Sequence, residues 1–142
     1  MSVPTQALPD AEGVRACLER YFREHPSEFA AVYLFGSVAR GAAGPNSDVD
    51  VALLCEIPPP STLEAIPAAL ETDLTRAVGR PVQLVMLDTA PADLVHRVLR
   101  DGIVVEERNR SHRVAFEIGK RNEYFDLLPI LRRYREPRHA KL

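Results

Sequence analysis

Between Asp10 and His25 the apolar residues Val14, Cys17, Leu18, Tyr21 and Phe22 recur at helical spacing, which predicts an amphipathic helix. Pro9 and Asp10 mark its start and Pro26 its end. The pattern then changes to a nearly unbroken apolar run, and Glu28 to Phe35 is predicted as the first strand. Ser37 to Gly41 is expected as a helical turn, and Ala42 to Ser47, with Gly44-Pro45-Asn46 inside it, as a loop. Asp48 to Cys55 is the second predicted strand. Pro58, Pro59 and Pro60 form a rigid hinge, and Ser61 with Glu64 resembles a capping box. That cap predicts a helix reaching about Val78, with Pro67 as a kink point and Gly79-Arg80-Pro81 as its end. Val82 to Leu87 is a third strand, Pro91 to Arg100 a helix stopped by Gly102, and Ile103 to Glu106 a short strand. Ser111 to Arg135 is expected to be helical, with a break or kink at Pro129, and the tail 137–142 to be disordered. No internal repeat is present. Strands and helices in this order predict an α/β fold: a small mixed sheet of about four strands flanked by helices.

Composition narrows the class. A chain of 142 residues is expected to form a single domain, 1–142. With 46% apolar and 27% charged residues it reads as an ordinary soluble globular protein. There is no apolar run long enough to span a membrane, and the N-terminus has neither a basic start nor an apolar core of a secretory signal. Cys17 lies on the apolar face of the first helix and Cys55 ends a strand, so both are expected as buried free thiols in a reducing cytoplasm. His25, His96, His112 and His139 have no ligand spacing, and zinc is not expected. The net charge of −2 is unevenly placed. Residues 1–106 carry 8 basic and 15 acidic side chains, whereas residues 107–142 carry 10 basic and 5 acidic ones. A basic C-terminal third suits nucleic acid, an acidic protein surface or simply a solvated helix with local ion pairs. It lacks the interleaved aromatic platform of a single-strand binder, so no direct nucleic-acid contact is expected.

The candidate chemistry is concentrated in FGSVARGAAGPNSDVDVALL, Phe35 to Leu54. Asp48 and Asp50 stand at i and i+2 of one strand and therefore point to one face. Two adjacent carboxylates repel unless a cation sits between them, and hard oxygen ligands suit Mg²⁺. Gly36-Ser37, at a strand-to-helix turn, presents backbone N–H groups that suit a phosphate. The plainer alternative is a Gly-Ser turn followed by an Asx turn, with Ser47-Asp48 capping a loop. A carboxylate pair at the head of a buried apolar run is a poor choice for solubility alone. Metal beside phosphate is the equipment of nucleotide chemistry.

This segment resembles the signature of the DNA polymerase beta-like nucleotidyltransferase superfamily. It is more closely similar to the minimal nucleotidyltransferase (MNT) proteins, small prokaryotic chains with GSxARG followed by SDxD. The matching residues are Gly36, Ser37, Ala39, Arg40, Gly41, Ser47, Asp48 and Asp50. LDTAP (Leu87 to Pro91), VLRDG (Val98 to Gly102) and YFDLLPIL (Tyr124 to Leu131) carry weaker similarity, so the resemblance covers nearly the whole chain. It implies a polymerase beta-like palm fold. It also implies metal binding by Asp48 and Asp50, with Gly36, Ser37 and Arg40 on the phosphates of ATP. On this view Gly36 is needed because a Cβ would crowd a phosphate, while Arg40 serves either a phosphate or a neighbouring acid. The family pattern carries a third carboxylate in a context like VDLV. Here the stretch is Val82-Gln83-Leu84-Val85, so Gln83 stands where an aspartate is expected, and Asp88 is the alternative third ligand.

The resemblance implies an Mg²⁺-dependent, ATP-dependent adenylyltransferase acting as antitoxin to a HEPN-type ribonuclease toxin, by attaching AMP to a tyrosine, by direct binding, or both. Gln83 keeps open a catalytically impaired, nucleotide-binding antitoxin that works by contact alone. Transfer onto a small molecule is a third reading. The helical stripe Tyr124, Leu127, Leu128, Leu131 and Tyr134 is a candidate surface for a helical partner, or the cover of the chain's own sheet. The acceptor, the nucleotide preference and the choice between homo- and hetero-oligomer stay open.

Overall fold

The computed structural model describes residues 10–25, 29–42, 44, 47–57 and 68–135, apart from the side chains of 131, 134 and 135. The element order is α1 (Ala11–Glu24), β1 (Phe29–Phe35), α2 (Gly36–Ala39), β2 (Val49–Cys55), α3 (Ala68–Val78), β3 (Val82–Met86), α4 (Ala92–Asp101), β4 (Ile103–Glu107) and α5 (Arg110–Arg135). Asp10 caps α1 by accepting a hydrogen bond from the Gly13 backbone N–H at 2.9 Å. The triple proline, the Ser61/Glu64 capping box, the Pro67 kink and the tail 137–142 lie outside the described residues.

The four strands form one sheet in the order β3-β2-β1-β4. β1 runs antiparallel to both β2 and β4, while β2 and β3 are parallel. A parallel pair needs a crossover, and α3 lies in the one between β2 and β3. Alternate residues of β1 and β2 enter two separate cores. Val32, Leu34, Val49, Val51 and Leu53 pack with Val14, Leu18 and Phe22 of α1 and Leu74 and Val78 of α3. Ala31, Tyr33, Phe35, Ala52 and Leu54 pack with Val95 and Val98 of α4. Burial on both faces is why the central strands read as continuous apolar runs rather than as alternation. Among the described residues no helix is long and apolar enough to cross a membrane.

The helix α5 is tied to the sheet by polar contacts. The buried Tyr33 hydroxyl donates to Glu117 at 2.7 Å, and Arg113 joins Glu117 and Glu107. Burial, with Glu117 beside it, pushes the Tyr33 phenol far above its usual range. Farther along, Tyr124 stacks on His96 of α4 with ring centroids 3.7 Å apart. Of the break or kink expected at Pro129, the break is corrected: α5 continues through it to Arg135. Proline removes the donor that would bond the carbonyl four residues back, and that residue, Phe125, is exposed, so the loss falls on a part of α5 open to solvent.

Candidate active site

β1 ends at Phe35 and the chain turns at Gly36, whose φ is +80°, a conformation that a side chain disfavours. The antiparallel register sets Phe35 opposite Asp50. The turn therefore comes to lie against the second aspartate. A Cβ built on Gly36 would overlap the Asp50 Oδ2, with the Asp50 Cγ next at 3.1 Å. This demand for glycine comes in addition to the one read in the sequence. The described neighbour that a Cβ would strike is the Asp50 carboxylate.

Asp48 and Asp50 share the strand parity of Ala52 and Leu54, so they emerge on the face covered by α4. Asp50 is half-buried. Burial pushes its carboxyl above the ordinary value, Asp48 pushes it the same way, and Arg40 pulls it partly back. A site that disfavours its own negative charge in this way is suited to a cation. Two carboxylates facing one way are the donor set of a hard divalent ion such as Mg²⁺. Among the described residues no cluster of three or more His, Cys, Asp or Glu side chains could hold a metal.

What stands in that third place is Gln83. The parallel register of β2 and β3 sets Gln83 level with Asp50, and its Nε2 donates to the Asp48 Oδ2 at 2.8 Å. Asp88 is placed elsewhere. Its Oδ2 accepts the Cys55 backbone N–H at 3.0 Å, at the opposite end of β2. Cys55 is five residues from Asp50, which at about 3.3 Å per residue is roughly 16 Å away. The structure brings Gln83 to the aspartate pair and keeps Asp88 from it.

Gly36, Ser37, Arg40 and Asp50 line one cleft of about 300 Å³ together with Arg97 and Asp101 of α4. The two α4 residues have no part in the GSxARG and SDxD strings, and periodicity assigns them only to an amphipathic helix. The nearest hint was the VLRDG run, in which Asp101 stands. Arg80 was equally hidden. It is buried, 5% exposed, and its Nη2 donates to the carbonyls of Gly44 at 3.1 Å and Ser47 at 2.6 Å. The Val49 N–H donates to the Pro81 carbonyl at 2.8 Å. The start of β3 therefore braces the loop that delivers Asp48. The basic charge of Arg80 is kept in the interior by those carbonyl acceptors.

Comparison with known proteins adds the following. Residues 17–111 match the family model described as polymerase beta, nucleotidyltransferase. A solved structure of a minimal nucleotidyltransferase is 31% identical, with a TM-score of 0.54, over 69% of this chain and 98% of that one. A chain of a toxin–antitoxin complex with AMP-PNP is 21% identical with a TM-score of 0.66, over 86% of this chain and 98% of that one. A chain of the complex of tri-AMPylated Shewanella oneidensis HEPN toxin with MNT antitoxin is 18% identical with a TM-score of 0.61, over 89% and 99%. No curated protein matches this chain.

Proposed function

Since this chain belongs to the polymerase beta nucleotidyltransferase family, we propose that it transfers AMP from Mg²⁺-ATP to a hydroxyl of a partner protein, as antitoxin to a HEPN-type toxin. In the reaction the acceptor oxygen bonds to the α-phosphorus of ATP. The bond from that phosphorus to the bridging oxygen breaks, pyrophosphate leaves, and the acceptor proton passes to solvent. The observation that carries the reading is the contact between the two sequence strings. The Asp50 carboxylate occupies the space a Cβ at residue 36 would need, so the second aspartate and the Gly-Ser turn share one cleft.

The residues take these parts. Asp48 and Asp50 would hold Mg²⁺, which when bound neutralises phosphate charge and acidifies the acceptor hydroxyl. Ser37 and Arg40 face the same cleft as Asp50 and supply a hydroxyl and a guanidinium for phosphate oxygens. The surrounding structure disfavours charge on Asp50, and a bound cation relieves that cost. Support for the partner comes from the structural neighbours, which include an AMP-PNP complex and an AMPylated HEPN toxin.

A second reading follows from Gln83. Its amide, donating to Asp48, supplies neither negative charge nor a base, which favours an antitoxin that binds nucleotide and restrains its partner by contact with slow transfer. The test is to incubate the protein with Mg²⁺, α-labelled ATP and a co-expressed HEPN-type partner. Label on a tyrosine of the partner, absent with Asp48→Asn, supports the enzyme. A stable complex with no label over hours supports the second reading, and neither complex nor label removes both.

A further inference from the structure

We propose that Arg97 of α4 forms a two-arginine clamp with Arg40 for the outer phosphates of the nucleotide, and that Arg97 sets the preference for triphosphate over monophosphate; this rests on the nucleotidyltransferase reading above. Both arginines line the cleft that also holds Ser37 and Asp50. They reach it from opposite sides in sequence. Arg40 caps the short helix after the Gly-Ser turn, and Arg97 stands one turn before the C-terminal end of α4. That end is carried to the cleft by the sheet itself, because β4 begins directly after α4 and pairs Ile103 with Leu34, next to Phe35 at the end of β1.

Helical spacing offers Arg97 two carboxylates, Asp93 four residues before it and Asp101 four residues after it. Asp101 is already held by Arg100, whose Nε and Nη2 donate to its two oxygens at 3.0 and 2.9 Å. Neither Arg97 nor Arg40 has an ion pair among the described residues. Both cations thus face a polar cleft without an ion pair of their own, although Arg40 acts on the Asp50 and Asp101 carboxyls that share the cleft and pulls both down. A guanidinium offers paired donors in a planar fork, which matches the oxygens of a phosphate and is poorly suited to a base or a sugar. Asp50, the candidate metal ligand, lines the same cleft, so a metal held there and the two guanidinium groups can share one chain of phosphates, the arginines taking those beyond the one being attacked.

A clamp on the outer phosphates makes a distinct demand on affinity. Calorimetry of the full-length protein with Mg²⁺ and, in turn, ATP, AMP and inorganic tripolyphosphate measures it. Arg97→Ala should weaken ATP and tripolyphosphate by about tenfold or more and leave AMP within about twofold, with Arg97→Lys between wild type and Ala. Arg97 is exposed, so the variant should fold, and an unchanged melting temperature checks this. Equal losses for ATP and AMP, or no loss for any ligand, would overturn the clamp while leaving nucleotidyl transfer intact. Tripolyphosphate binding that needs Arg97, in a protein with no ATP-dependent transfer, would keep the clamp and remove the enzymatic reading. A wild-type protein that binds neither ATP nor tripolyphosphate would overturn both.

Discussion

Asp50 is the residue at which stability and proposed function oppose each other. Its charge is disfavoured by burial and by Asp48, and only in part relieved by Arg40. Asp50→Asn keeps the side-chain shape that meets Gly36 and removes the charge. We expect the metal-free protein to melt a few °C higher, the modest gain appropriate to a half-exposed group, while Mg²⁺-ATP affinity falls by about tenfold or more. Differential scanning calorimetry and titration check the two halves, and a lower melting temperature would mean that the repulsion is already met inside the protein. Gln83 is the complementary case. Gln83→Asp should raise the rate of AMP transfer on the order of 10²-fold and leave nucleotide affinity within about twofold, because a third carboxylate acts on the acceptor step. The same change sets a third negative charge beside Asp48, so the metal-free melting temperature should fall and Mg²⁺ should restore it. Rapid labelling by the wild type with no gain in the variant would show that the acceptor is activated by another group.

At the scale of elements, the head of β3 supports more than its own hydrogen-bond ladder. Arg80 holds the carbonyls of Gly44 and Ser47, and Gln83 holds the side chain of Asp48. The Val82 N–H donates to Thr75 Oγ1 at 3.1 Å, which anchors the strand to the end of α3. Removing the guanidinium takes a donor from the Gly44 and Ser47 carbonyls and empties the buried space that the side chain fills. Arg80→Ala should cost about 1–3 kcal/mol in urea unfolding and weaken Mg²⁺-ATP binding as the loop before Asp48 loosens. A variant that is destabilised but binds Mg²⁺-ATP as the wild type does would show that the loop holds its shape without this brace. Helix α5 divides into two parts. Its first half is fastened through Arg113 and Glu117, and Tyr124 is taken up by His96, so the apolar stripe expected around Tyr124 is partly spent within the fold.

For the whole molecule, the apolar surface left over is informative. Val114, Ile118 and Phe125 lie on one side of α5, with Ile118 53% and Phe125 61% exposed. Leu127 and Ile130 are also exposed, on a different side of the helix. Isolated exposed apolar residues need no explanation, but several on one helix of a chain proposed to bind a helical toxin mark a surface to test. The double variant Ile118→Asp with Phe125→Asp should keep its fold and its nucleotide affinity and lose the complex with the HEPN-type partner. Gel filtration of the co-expressed pair reads this directly; an intact complex would move the interface to another face. The charge asymmetry of the chain belongs to the same scale. Part of the basic excess of α5 is already paired, since Arg113, Lys120 and Arg121 make contacts to Glu117 and Glu123 of the same helix and to Glu107 of β4.

The elements and the fold class were legible in the sequence because they follow from local periodicity, caps and turn residues. Each described strand and helix lies within two residues of its expected bounds, except where the expected start of α3 falls outside the described residues. The Gly36-Ser37 turn and the Asp48, Asp50 pair were legible for the same reason, since each depends on residues close together in the chain. What the sequence could not decide was which distant side chains join them. That Gln83 meets Asp48 depends on the register of a parallel strand pair, set across a long crossover by packing rather than by any local pattern. That Arg97 turns into the cleft and Asp88 is held at the far end of β2 depends on how α4 and the β3 end seat against the sheet. Beside its positive φ, Gly36 also has a tertiary reason. Its partner is a carboxylate on the neighbouring strand, and only the antiparallel pairing of β1 with β2 brings the two within contact.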